Sequence, residues 1–117
     1  MSRDAHAREV RLNQVFAALA DPTRRAILRR LTKGEASVSE LAEPFDMSQP
    51  AISKHLRVLE DAGLVSTART GQSRPRSLVI GGPLADVDGW LAPFRETWER
   101  RLDRLESFLA KKPKETK

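Results

Sequence analysis

The chain has 117 residues, 39% of them hydrophobic and 32% charged, with a formal net charge of +5 at pH 7. That length suits one domain with a modest core, and the positive balance favours a polyanionic partner without naming it. There is no cysteine, which excludes a disulfide framework, a thiolate metal site and a cysteine nucleophile, and no apolar run approaches the roughly 18 residues of a membrane span.

The opening MSRDAHAREV has no apolar signal core, so a cytoplasmic location is expected. Residues 1–7 are short, polar and unpatterned and are expected to be disordered. Leu12, Val15, Phe16 and Leu19 then recur at i, i+3, i+4, i+7, the apolar stripe of a helix. Asp21-Pro22 supplies an N-cap with proline at the first helical position. The helix it opens should bury Ala26, Ile27, Leu28 and Leu31 and turn Arg24, Arg25, Arg29 and Arg30 to solvent, with Gly34 ending it.

Ser37-Val38-Ser39-Glu40 has capping-box spacing and starts a helix of about two turns with Val38, Leu41, Ala42 and Phe45 inward. Pro44 and Asp46 limit its length. Ser48 caps the next helix, expected over residues 48–61, and Pro50 is tolerated in its first turn. Its buried stripe is Ile52, Leu56 and Leu59; the opposite stripe is Pro50, Ser53, Lys54 and Arg57. Gly63 then breaks the helix, and Leu64-Val65 turns back into the core. From Val38 to Val65 this is a helix-turn-helix, whose second helix can lie in the major groove of DNA.

Two short extended segments follow, about 65–70 and 76–80, separated by the turn-rich Gly71-Gln72-Ser73-Arg74-Pro75. Between Ala62 and Ala85 there is no acidic residue, but there are Arg69, Arg74 and Arg76. A hairpin with only positive charge suits a wing that contacts DNA phosphates or the minor groove. After Gly81-Gly82-Pro83, residues 83–110 form a last helical region with apolar residues at three-four spacing, interrupted by Gly89 and Pro93, where a kink or break is expected. Lys111 onward is a charged tail expected to be disordered.

The expected fold class is mostly α with a small β-hairpin wing: a winged helix-turn-helix of about five helices, dimeric, occupying 1–117 as one domain. The DNA-binding candidates are Ser48, Gln49, Pro50, Ser53, Lys54, His55, Arg57, Arg69, Gln72, Arg74 and Arg76. Lys and Arg can pair with guanine or phosphate, Gln with adenine, and hydroxyls with either. His55 lies on the flank of the buried stripe, so partial burial competes with phosphate contact. Four of the six aromatics, Trp90, Phe94, Trp98 and Phe108, fall on the last helix, more than a small domain can enclose there. The dimerisation candidates are therefore Leu12, Phe16, Trp90, Leu91, Phe94, Trp98, Leu102 and Leu105.

Two histidines without a thiol make metal sensing poorly supported, and the carboxylates Glu96, Glu99, Asp103 and Glu106 lie among arginines at ion-pair spacing. Nothing resembles a nucleophile with its base, a phosphate-cradling glycine loop or a paired-carboxylate cleft. Neither an enzyme nor a cofactor is expected. The partners expected are double-stranded DNA, on an inverted-repeat operator, and a second copy of the chain. Two further readings are an effector-responsive switch, with a small hydrophobic molecule at the aromatic seam, and a winged-helix scaffold for protein.

At Asp21–Leu28 (DPTRRAIL), Ser48–Leu56 (SQPAISKHL) and Leu59–Val65 (LEDAGLV) the chain resembles the ArsR family, dimeric winged helix-turn-helix repressors of bacteria and archaea. The likeness runs in order over about residues 10–110 and is most specific at SQPAISKHL. It implies that Ser48 to Arg57 form the recognition helix, that residues 66–80 form the wing, and that the first and last helices build the dimer. The metal-ligating thiols of the best-known members have no counterpart in Ser39-Glu40-Leu41-Ala42-Glu43, and the last helix has no histidine. A metal response is therefore not implied. The segment from Trp90 to Leu109 looks like a thiol-free subgroup, some of whose members are encoded beside small START-like hydrophobic-ligand proteins.

Overall fold

The computed structural model describes residues 2–69, 71 and 74–111. The chain divides into two units, Met1–Val87 and Asp88–Lys117. In the first, α1 (Arg3–Leu19), α2 (Pro22–Leu31), α3 (Val38–Ala42) and α4 (Gln49–Asp61) precede an antiparallel hairpin of β1 (Val65–Thr67) and β2 (Arg76–Leu78). The last helix, α5 (Pro83–Lys111), begins in the first unit and continues into the second.

Each of α1 to α4 starts where a side chain satisfies one of its orphan N–H groups. Ser2 Oγ accepts from Ala5 N–H at 3.1 Å, and Asp21 Oδ2 accepts from Arg24 N–H at 3.0 Å. Ser37 and Glu40 form a reciprocal capping box, with bonds of 3.2 and 2.8 Å. Ser48 Oγ accepts from Ala51 N–H at 3.3 Å. The Ser2 cap, with Asp4 in the first turn, corrects the expectation of disorder over residues 1–7: helix begins at Arg3. Charge near a helix N-terminus and a hydroxyl cap outweigh the missing apolar pattern there. Lys111 is likewise helical, while residues 112–117 lie outside the described ones.

Val15, Ala18, Ile27, Leu28, Leu31, Leu41, Ile52, Leu56 and Leu59 form the core of the first unit, joined by Ala36, Ala42, Leu64 and Val65. Leu84 and Val87, in the first turns of α5, pack against it. A 3-10 turn over Glu43–Phe45 and a left-handed Asp46 at φ +53° connect α3 to α4. Aspartate tolerates that conformation through its short polar side chain. Gly63, at φ +77°, turns the chain after α4 so that Leu64 and Val65 point inward.

In the hairpin, Val65 faces Leu78, Ser66 faces Ser77 and Thr67 faces Arg76. The strands are three residues each, within the longer segments expected. A further bridge joins Ala36 to Arg76, with bonds of 3.1 and 2.8 Å. The segment before α3 thus extends the sheet by a single residue, too short a run to register as a strand in the sequence.

Of the kink or break expected near Gly89 and Pro93, no break is found: α5 is continuous from Pro83 to Lys111, with Pro93 inside it. A proline ring inside a helix presses on the carbonyl four residues earlier. Here that residue is Gly89, which has the greatest backbone freedom to yield. Among the described residues of the second unit, Arg95 Nη1 meets Asp88 Oδ1 at 2.5 Å across two turns, and the Trp90 and Phe94 rings lie 4.8 Å apart.

Candidate nucleic-acid interface

The amphipathic pattern of α4 divides it cleanly. Ile52, Leu56 and Leu59 have no solvent exposure, and they fix the rotation of the helix on α3 and the core. Gln49, Pro50, Ser53, Lys54 and Arg57 are exposed on the other side. There is no acidic residue in the first turn, so the positive end of the helix dipole is not offset by a side chain there. Such a helix end favours an anion. The exposed Ser48 spends one lone pair on the cap and keeps its hydroxyl proton for an outside acceptor.

His55 is set apart from this face. It is half-buried, with Nδ1 3.8 Å from Asp21 Oδ2, the cap of α2. The Arg24 backbone N–H, followed by the charges of His55 and Arg24, holds the Asp21 carboxyl below its ordinary value. Glu40 is likewise lowered, first by the Ser37 backbone N–H and then by the Ser37 hydroxyl.

Two of the arginines expected to face solvent have partners in another helix. Arg24 Nε and Nη2 donate to the carbonyls of Ala18 and Ala17 at 2.7 and 3.0 Å. Arg25 Nη1 donates to Leu19 O at 2.7 Å. They close the C-terminal end of α1, which has no basic residue of its own in its last turn. Arg30 Nη1 reaches Gly34 O at 3.1 Å.

On the hairpin, Arg69 and Arg74 are exposed and Arg76 is half-buried. Gln72 lies outside the described residues. The Thr67 hydroxyl bonds to the Glu60 carboxylate, tying β1 to the end of α4. Ser37, Val38, Ser39, Gln49, Ser53, Arg74 and Arg76 line a groove of about 410 Å³. The fold thus brings Gln49, Ser53, Arg74 and Arg76 together and adds Ser37 and Ser39, which in the sequence read only as the start of a capped helix.

Leu12 and Phe16 on α1 are half-buried. In the second unit Trp90, Leu91, Phe94, Trp98, Leu102 and Leu105 are all exposed, from 41% at Leu91 to 67% at Trp98. Phe108 and Leu109 extend that face. Among the described residues no three His, Asp or Glu side chains gather as metal ligands would. No helix among them is long and apolar enough to cross a membrane.

Comparison with known proteins agrees with this architecture. The helix-turn-helix domain family matches residues 19–68. The chain is 46% identical over 83 residues to the transcriptional repressor SdpR of Bacillus subtilis, covering 71% of this chain and 91% of that protein. A solved ArsR-family transcriptional regulator shares 49% identity at a TM-score of 0.67, over 76% of this chain and 97% of its own. The homodimeric winged helix-turn-helix DNA-binding domain Mb0332 of Mycobacterium bovis, a possible ArsR-family regulator, aligns at 26% identity and a TM-score of 0.64, over 89% and 93%. With an exposed polar and cationic row on α4, a basic hairpin beside it and these relatives, the chain belongs to the ArsR family of winged helix-turn-helix DNA-binding transcriptional regulators.

Proposed function

We propose that this regulator is a homodimeric repressor that works in the cytoplasm by occluding a promoter. Each protomer inserts α4 into the major groove and lays its hairpin along the backbone. The two copies of α4 then sit roughly 34–36 Å apart, in successive major grooves of an inverted repeat. The observation that carries this reading is the exposed row Gln49, Ser53, Lys54 and Arg57 on a helix whose other side is fully buried. Lys54 and Arg57 read base edges; Ser48, Gln49, Pro50 and Ser53 complete the contact; Arg69, Gln72, Arg74 and Arg76 serve the wing. His55, drawn toward Asp21, contributes by orienting the helix on α2. The repressor and homodimer assignments are supported by the relatives so named.

The dimer forms through the apolar face of α5 together with Leu12 and Phe16. Eight large hydrophobic side chains exposed between Trp90 and Leu109 exceed what an isolated helix surface keeps in water. A second copy covers them without requiring a different partner.

The test is a gel shift with the duplex upstream of the protein's own gene. Lys54→Ala or Arg57→Ala should cost about 1–3 kcal/mol where the residue reads a base, roughly a 5- to 150-fold loss of affinity. If both variants bind as tightly as the wild-type chain, α4 is not the reader.

A further inference from the structure

One carboxylate stands where the helix that carries it gains nothing from it. Glu60 lies in the last turn of α4, which has no basic residue, and an acid there meets the negative end of the helix dipole. Its backbone is fixed, since the Glu60 carbonyl accepts from the Gly63 N–H at 2.9 Å. The half-buried side chain turns to the hairpin and accepts a hydrogen bond from the hydroxyl of Thr67, itself half-buried. A charged acceptor makes such a bond stronger than a neutral one. The hairpin has no acid of its own between Ala62 and Ala85, so a tie of this kind has to come from α4.

The place of Thr67 in the sheet gives the bond a longer reach. Thr67 is the last residue of β1 and stands opposite Arg76, whose N–H and carbonyl are both paired with Ala36, at 2.8 and 3.1 Å. Contacts therefore run in a line from α4 through Thr67 and Arg76 to the residue before the cap of α3. Strand β2 has β1 on one side and Ala36 on the other, while β1 is the edge strand. A ladder holds an edge strand from one side only, and the Thr67 side chain adds a hold from α4. Beyond the Thr67–Arg76 pair comes one more bond, Ala68 N–H to Pro75 O at 2.9 Å. Arg69 and Arg74 each lie two residues past the pair, about 7 Å along a strand. A change of angle at Thr67 is thus carried outward to both arginines.

We propose that Glu60 and Thr67 are positioning residues of the DNA interface: their bond sets the angle of the hairpin to α4, so that the wing meets the duplex when α4 lies in the major groove. Neither residue touches DNA; both act through Arg69 and Arg74. The inference rests on the reading of the hairpin as a wing, which supplies the contacts that the bond orients. Its consequence is specific. Exchanging one uncharged residue for another, Thr67→Val, changes the salt dependence of binding, because the arginines lose their phosphates.

The experiment measures dissociation constants over a salt series, on the duplex upstream of the protein's own gene, for the wild type, Thr67→Val, Thr67→Ser and Glu60→Ala. Each is also combined with the wing variant Arg69→Ala/Arg74→Ala and, separately, with Lys54→Ala. Thr67→Val and Glu60→Ala should weaken binding roughly 5-fold and lower the log–log salt slope by about one per protomer. In both backgrounds the wing variant should cost much less than it does in the wild type, while Lys54→Ala should cost the same factor throughout. Thr67→Ser should bind as the wild type does, although serine lacks the β-branch that suits a strand and valine keeps it. Glu60→Ala takes an acid from the unfavourable end of α4, so a weakened helix does not account for its loss of affinity.

Wild-type salt slopes for Thr67→Val and Glu60→Ala, with the wing variant keeping its full cost in both, overturn the positioning role and leave the wing intact. A wing variant that costs nothing in the otherwise wild-type chain removes the wing, and the positioning role falls with it. If Thr67→Val shrinks the Lys54→Ala effect as much as the wing effect, the damage is to the fold as a whole and the proposal is overturned. Thr67→Ser behaving as Thr67→Val does overturns it too, since the hydroxyl then plays no part.

Discussion

Arg24→Ala is the sharpest test of how the first unit is held together. Arg24 belongs to α2 but donates to the carbonyls of Ala18 and Ala17, at 2.7 and 3.0 Å, at the end of α1. A hydrogen bond from a charged donor is worth about 1.5–3 kcal/mol. The bond to Ala17 is exposed, so water replaces much of it; the bond to Ala18 is partly buried and is lost more fully. The expected cost is therefore about 2 kcal/mol, or a fall in melting temperature on the order of 10 °C for a unit of this size. Urea unfolding followed by far-UV circular dichroism, at one fixed protein concentration because association contributes to apparent stability, provides the measurement. Arg29→Ala, at an exposed position on the same helix, should stay within about 0.5 kcal/mol of wild type. Arg24→Lys keeps the charge but loses the fork and should recover less than half the loss. The reasoning is refuted if Arg24→Ala matches Arg29→Ala, or if lysine restores stability in full, which would leave only a charge at a helix end.

Gly63→Ala should destabilise by about 1–2 kcal/mol, the cost of a left-handed L-residue; φ there is +77° and an added Cβ would lie 3.0 Å from Pro83 Cγ. Thermal unfolding reads this, and an unchanged midpoint contradicts it. The lowered carboxyls of Asp21 and Glu40 contribute stability that is present above the ordinary carboxylate value of about 4 and fades as pH falls through their lowered folded values. An Asp21→Asn/Glu40→Gln double variant should accordingly be less stable than wild type at pH 7 and converge with it in acid; a gap that stays constant from neutral pH into acid counts against it. Trp98→Glu with Leu105→Glu should yield monomers by sedimentation and lose operator binding at the same time. A double variant that remains dimeric removes α5 from the interface.

The winged helix-turn-helix was legible because its signals are local. Ser37 and Glu40 lie three residues apart, as do Ser48 and the Ala51 N–H that it caps, and both caps form as the spacing requires. The stripe Ile52, Leu56 and Leu59 is buried because helical periodicity alone sets which side of α4 can enter a core. Gly63 ends α4 for a reason that belongs to one residue's backbone. The start at Arg3 was missed because a hydroxyl cap works without an apolar pattern. Of the kink or break expected near Gly89 and Pro93, only the break is ruled out: α5 runs through the proline.

What the sequence could determine, then, was which elements form and which face of each is apolar, since those depend on residues within a turn or two of one another. Only the tertiary structure decided where the arginines go. Arg24 and Arg25 read as a solvated row; Arg25 stays exposed, Arg24 is half-buried, and both also bond carbonyls at the end of α1. His55 turns toward Asp21. Arg76 sits at a bridge to Ala36, forty residues away in the chain, with its Nε buried. A guanidinium on a long flexible stem takes whichever acceptor the fold brings within reach, and that choice is made by packing between elements rather than by spacing within one.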